Sequence, residues 1–125
     1  MNPNTTTVAL FDQQYLTREG MERLLEQEQW VSDFRSFSSQ LGFTRYLASD
    51  QPTLAIISLT ALEAPQWENE LGQLQASSAL LVLSDQLPTN RLKNWAETGV
   101  QGFASKYSPK EELVLALKRV SQGQR

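Results

Sequence analysis

The sequence predicts an α/β fold, a parallel sheet with helices packed on both faces. Three observations carry that prediction. Short apolar runs alternate with longer amphipathic stretches five times along 125 residues, the pattern of strand–helix units joined by right-handed crossovers. The central runs, "TLAIISLT" and "ALLVLS", lack the apolar–polar alternation of a one-sided sheet, as expected of strands buried on both faces. No internal repeat or low-complexity segment interrupts the pattern.

Residues 1–7 are polar and are expected to be a flexible arm before a single domain over 8–123. Val8 to Phe11 is a compact apolar strand that ends at Asp12. Thr17 to Glu28 places Met21, Leu24 and Leu25 on one helical face. Val31 to Phe37 is the second strand, and its Asp33 and Arg35 suit a sheet edge, where charge discourages pairing between molecules. A weak helix over Leu41 to Ala48 leads to Pro52 and the third strand, Thr53 to Thr60.

Glu63 to Leu74 reads as helix, and Ala79 to Ser84 as the fourth strand. Pro88 to Thr98 is a helix stopped by Gly99, with Trp95 near its core stripe; Gly102 to Ser105 is a short last strand. In Ser108-Pro109-Lys110-Glu111 a serine N-cap, a proline at the first helical position and a glutamate at the third form a capping box. Leu113, Ala116, Leu117 and Val120 make the core stripe of that final helix, with Leu115 on the opposite side. The resulting topology is a five-stranded three-layer sandwich of flavodoxin-like order, 2-1-3-4-5.

Composition removes several function classes. With no cysteine and no histidine, disulfides, thiolate nucleophiles, histidine metal sites and a Ser-His-Asp triad are impossible within this chain. A net charge of −3 argues against nonspecific DNA binding by this segment. No apolar run is long enough for a membrane span, and "MNPNTTT" lacks the basic and apolar character of a signal peptide, so a cytoplasmic location away from membranes is expected.

Ligands of open parallel sheets collect beyond the carboxyl ends of the strands. There the sequence offers Asp12 with Gln13, Ser58, Ser84 with Asp85, and Lys106. Ser58 invites a search for a nucleophile. A serine hydroxyl needs an adjacent base, no histidine exists to supply one, and no Gly-x-Ser-x-Gly elbow is present. An enzyme is not expected. Ser84 also suits a simpler role, satisfying backbone groups at a strand end.

Nearly the whole chain resembles the receiver domain of bacterial two-component response regulators, nearest to those with a C-terminal LuxR-type helix-turn-helix domain. "FDQQYLTREGM" resembles the family's opening, "PTLAIISLT" the strand ending in the phosphoaccepting aspartate, and "LLVLS" the strand ending in the switch hydroxyl. "TGVQGFASKYSPKEELVLALKRVSQGQR" is similar to the Gly-x-x-Gly-Phe-x-x-Lys segment and the closing helix. The resemblance implies that Asp12 is the first acid of the family's pair, Ser84 the switch hydroxyl, Phe103 the switch aromatic and Lys106 the phosphoryl-contacting lysine.

The departures are as informative. Gln13 stands at the second acid and Ser58 at the phosphoacceptor; Leu62 replaces an expected proline, and "ALEAPQ" lacks the usual glycine. Mg²⁺ prefers hard anionic oxygens and dehydrates reluctantly, so no cofactor is expected with Asp12 the one matching acidic ligand, and Asp12–Lys106 reads as a structural ion pair. The expectation is a degenerate pseudo-receiver, signalling through a protein partner or a homodimer, with Leu115 at an interface. The family context also implies a sensor kinase as a partner, and DNA contact through a domain outside this chain. The competing expectation is an active phosphoreceiver with a non-standard acceptor.

Overall fold

The sheet is built from β1 (Thr6–Phe11), β2 (Val31–Phe37), β3 (Leu54–Leu59), β4 (Ala79–Ser84) and β5 (Val100–Ser105). All neighbours pair in parallel, in the order β2-β1-β3-β4-β5, as the sequence predicts. The computed structural model describes residues 6–60, 67, 70, 78–85 and 99–123. Every residue of β3 is buried, which accounts for its unbroken apolar run: both faces of a central parallel strand meet helices. β2 lies at an edge, and there Arg35 and Asp33 face solvent, 3.9 Å apart.

Side-chain alternation divides the core into two layers. One face carries Ala9, Phe11, Ala55, Ile57, Leu59 and Val82, packed with Phe43 and Leu47 of α2 (Gln40–Asp50) and with Trp67. Here Phe11 meets the Trp67 ring at 4.9 Å and the Phe43 ring at 5.9 Å between centroids. The other face carries Val8, Leu10, Leu54, Ile56, Leu81 and Leu83, covered by Met21 and Leu25 of α1 (Tyr15–Glu26) and by Leu113, Leu117 and Val120 of the C-terminal helix (Lys110–Ser121). Gly102 lets that helix approach: a Cβ there would lie 2.5 Å from Val120 Cγ2.

Several boundaries differ from expectation, each for a local reason. Thr6 and Thr7 belong to β1, not to a free arm, because Thr6 pairs with Val31 and Thr7 exchanges amide–hydroxyl hydrogen bonds with Thr53. α1 begins at Tyr15, two residues early, after a turn in which Asp12 Oδ1 accepts from the Gln14 amide at 2.7 Å. α2 spans one residue more at its start, where Ser39 Oγ caps the Gly42 amide at 3.2 Å, and ends at a left-handed Gln51. β5 starts at Val100, paired to Leu80.

The capping box is corrected. Pro109, with ψ of 150°, is the N-cap of the C-terminal helix, and no side chain caps it. The Ser108 amide instead donates to the Ser105 carbonyl, which closes the preceding turn and leaves the proline to open the helix. Glu111 and Glu112 in the first turn, with Lys118 and Arg119 in the last, still oppose the helix dipole favourably. Trp67 and Glu70 are helical, as expected for Glu63–Leu74. The rest of that helix, all of Pro88–Thr98 with Trp95, and Leu62 with its loop lie outside the described residues. Among the described residues no helix is long and apolar enough to cross a membrane.

Candidate functional site

Strand register decides what meets at the carboxyl edge. Phe11 pairs with Ile57, so Asp12 and Ser58, one residue further along each strand, become neighbours on the same side of the sheet. Ser84 pairs with Ser105, and the next residue, Lys106, donates its amide to the Ser84 carbonyl at 2.8 Å. Lys106 is thereby held at the same edge, where its Nζ reaches to 3.6 Å from Asp12 Oδ2.

Asp12 is the centre of this cluster and is buried to 2% exposure. Each of its polar atoms has a partner. The amide donates to the Phe37 carbonyl at 3.0 Å, and the carbonyl accepts from Arg18 Nη1 at 2.8 Å. Oδ1 accepts from the Gln14 amide, and Oδ2 accepts from the Ser58 hydroxyl at 2.5 Å while facing Lys106. A short hydroxyl–carboxylate bond of this kind is charge-assisted. The buried negative charge is therefore compensated by one ammonium and two donors, which a carboxylate out of water requires.

The structure thus brings together Asp12, Ser58 and Lys106, with Ser84 on the adjoining strand. Ser84 Oγ donates to Asp85 Oδ1 at 3.4 Å. Gln13 is exposed. Phe103 is half-buried against the α2-side core, and Leu115 is 47% exposed on the C-terminal helix. Sequence reasoning missed Arg18, whose guanidinium both holds the Asp12 carbonyl and lies 5.8 Å from the Tyr15 ring centre. It also missed Gln14, although an aspartate before a helix is a familiar acceptor for the amide two residues on.

These groups do not fit Mg²⁺. A hard divalent cation asks for several anionic or carbonyl oxygens with free lone pairs. Both Asp12 oxygens already accept hydrogen bonds, the Lys106 ammonium lies 3.6 Å from Oδ2, and the other acid at this edge among the described residues, Asp85, accepts from Ser84. Among the described residues no three aspartate, glutamate, histidine or cysteine side chains converge on a metal-sized site.

No family model matches the sequence, and no curated protein matches it. Solved structures do. A LuxR-family two-component response regulator from Aurantimonas sp. SI85-9A1 superposes with a TM-score of 0.80 at 22% identity, over 97% of this chain and 88% of that one. The isolated receiver (REC) domain of RcsB from Salmonella enterica serovar Typhimurium, solved with the phosphomimetic BeF₃⁻, gives 0.80 at 18% identity over 98% and 92%. This is the receiver fold. RcsB bound to DNA also matches, with a TM-score of 0.76 at 18% identity, and this chain covers 63% of that longer one. At such identities the likeness is one of fold, so the receiver architecture is common to these chains while the chemistry of the edge has to be argued from Asp12, Ser58 and Lys106 themselves.

Proposed function

We propose that this chain is a pseudo-receiver, a signalling domain that keeps the receiver fold and works through protein contact without phosphorylation. One observation carries the proposal: the Asp12 carboxylate is fully engaged by Gln14, Ser58 and Lys106. Phosphoryl transfer at this edge would need an anionic nucleophile and a bridging cation. Ser58 supplies a neutral hydroxyl, which donates a hydrogen bond to Asp12 Oδ2, and Lys106 supplies the positive charge beside that carboxylate. The roles of Ser84 and Phe103 as former switch residues, and of Leu115 at a homodimer or partner interface, belong to the same proposal. So does DNA contact through a domain beyond this chain, which the longer DNA-bound RcsB makes a reasonable arrangement.

The test is incubation with Mg²⁺ and acetyl phosphate, followed by intact-mass measurement. No phosphorylated species is expected. Stoichiometric phosphate on Ser58 or Asp12 would replace this reading with an active phosphoreceiver using a non-standard acceptor. A titration with Mg²⁺ and beryllofluoride, read by amide NMR, should likewise leave Asp12, Ser58 and Ser84 without saturable shifts.

A further inference from the structure

β2 is the end strand of the sheet, so one side of its backbone has no strand beside it among the described residues. Register tells which groups point outward. The Phe37 carbonyl accepts from the Asp12 amide at 3.0 Å, so Phe37 and, two residues back, Arg35 turn their peptide groups toward β1. By the alternation of a strand, Phe34 and Ser36 turn theirs away from the sheet, as two N–H donors and two carbonyl acceptors. Pairing with β1 is regular from Asp33 to Phe37, so this outer row keeps the geometry of a ladder. The irregular step lies before it, where Ser32 Oγ donates to the Thr6 carbonyl.

Beside this edge, α1 and β2 enclose a groove of about 310 Å³. Leu25, Val31 and Phe34 form its apolar part, and Glu22 and Glu26 its acidic part. The two glutamates are four residues apart and so share a side of α1. Ion pairs among the described residues join Arg35 to Asp33 and Lys106 to Asp12, and neither glutamate has one. The basic residues of α1 are Arg18, whose guanidinium is held on the Asp12 carbonyl, and Arg23, which does not line the groove. Asp33 also lines it, but Arg35 compensates that charge from 3.9 Å. Arg35 itself stands over the Tyr46 ring of α2 at 5.9 Å, on the face of the sheet opposite Phe34. Two carboxylates without a cation thus flank an apolar floor next to unpaired backbone.

We propose that the β2 edge is the docking site of a partner's extended segment with lysine or arginine at alternate positions, which adds to the sheet as a further strand. Its backbone pairs with the outward groups of Phe34 and Ser36. Every second side chain of the added strand falls on the α1 side. A lysine or arginine there lays its aliphatic stem on Leu25, Val31 and Phe34 and brings its charged head to Glu22 and Glu26. The other positions face the Asp33–Arg35 pair, neutral in sum, and need only small polar residues. A second copy is the poorer occupant, because antiparallel pairing of β2 with β2 sets the glutamates of both copies on the same face of the joined sheet, where like charges oppose. The inference rests on the protein-contact reading above and gives it a surface and a partner chemistry.

The probe is an eight-residue peptide (about 26 Å extended) alternating lysine with threonine, and its control carries glutamate in place of every lysine. Amide NMR of the whole chain should show saturable shifts along β2 with the lysine peptide. Hydrogen exchange at the Phe34 and Ser36 amides should slow at least about tenfold at saturation, since the added strand takes up their free donors. The Arg35 and Phe37 amides, already turned to β1, should change less. The glutamate control should bind at least about tenfold more weakly, and added salt should weaken the lysine complex. Glu22→Gln combined with Glu26→Gln should weaken it several-fold. Ser36→Pro removes one outward donor at an edge, where proline is tolerated, and should abolish binding.

Absence of saturable shifts, equal binding of the two peptides, or full binding by the double glutamine variant would each overturn the proposal. So would shifts without slowed exchange at Phe34 and Ser36, which would mean charge attraction without strand addition. Exchange at these amides that slows with protein concentration alone would assign the edge to a second copy and overturn it as well. Should Ser36→Pro fail to fold, the glutamine variant decides. The phosphodonor experiment separates the two levels. Phosphorylation would refute the pseudo-receiver reading, whereas missing peptide binding with no phosphorylation refutes the β2 site alone.

Discussion

Replacing Ser58 by alanine tests the central claim about the edge cluster, because it removes one donor and little else. Ser58 Oγ is buried and donates a hydrogen bond to Asp12 Oδ2 at 2.5 Å. Without it, that oxygen keeps only Lys106 at 3.6 Å, while Oδ1 keeps the Gln14 amide. A hydrogen bond to a charged group contributes about 1.5–3 kcal/mol, so Ser58→Ala should lose about that much. Unfolding entropy of about 2.1 cal/mol/K per residue over 125 residues gives about 0.26 kcal/mol/K, and the loss becomes a fall in Tm of about 6–11 °C. The assay is thermal unfolding by circular dichroism, with urea midpoints as a check on two-state behaviour. The cost should shrink when Asp12→Asn is already present, because a neutral amide oxygen is a weaker acceptor; a double-mutant cycle reads that coupling directly. A Ser58→Ala variant within about 0.5 kcal/mol of the parent, the range of an ordinary surface change, would refute the reasoning. Ser58 would then be only a small residue filling space.

Two further outcomes follow from packing and burial. Gly102→Ala drives a Cβ to 2.5 Å from Val120 Cγ2, and a β-branched side chain in a helix cannot easily turn away, so overpacking should cost about 1–3 kcal/mol; an unchanged urea midpoint would mean that the C-terminal helix can shift freely. Burial raises the Tyr46 phenol above its ordinary value, helped by Asp50 and Asp33 and opposed by Arg35. A raised folded value means the folded state holds the proton more tightly, so this stabilisation is complete below the unfolded value of about 10 and is lost as pH rises through the folded one. Urea midpoints measured into alkali should fall less steeply for Tyr46→Phe than for the parent, and parallel curves would remove Tyr46 as a cause.

The fold was legible because its signals are redundant. An unbroken apolar run such as Leu54 to Leu59, with every side chain buried, can hardly be anything but a strand covered on both faces. The charges of Asp33 and Arg35 marked β2 as an edge before any pairing was known. What failed was local. Ser108-Pro109-Lys110-Glu111 has the composition of a capping box, but the Ser108 amide is drawn into the turn with Ser105, and Pro109 becomes the cap. Thr6 and Thr7 look like polar tail residues, yet β-branched side chains suit a ladder and Thr7 finds Thr53 across it.

The site was legible in its membership and not in its wiring. Strand-end positions alone brought Asp12, Ser58 and Lys106 together, because parallel register is set by the buried faces and carries the next residue with it. Arg18 could not be read the same way: it lies six residues from Asp12 in the chain, and only the turn into α1 aims its guanidinium at the Asp12 carbonyl.

Charge explains why this edge is self-consistent. A cluster with several carboxylates cannot stay buried without a cation, since like charges at hydrogen-bond distance cannot all remain ionised. Here Ser58 is neutral, the Asp12 carboxylate has the Lys106 ammonium at 3.6 Å, and the Arg18 guanidinium lies on the Asp12 carbonyl. The buried carboxylate thus has a cation beside it and a hydrogen-bond donor on each oxygen, as a charge out of water requires. Ser58 completes the arrangement in a way an aspartate could not, because it donates to the Asp12 oxygen that a second carboxylate would repel. The Ser58 hydroxyl and the Asp12–Lys106 pair therefore act as one electrostatic unit: the lysine compensates the carboxylate, and the hydroxyl fixes that carboxylate in place.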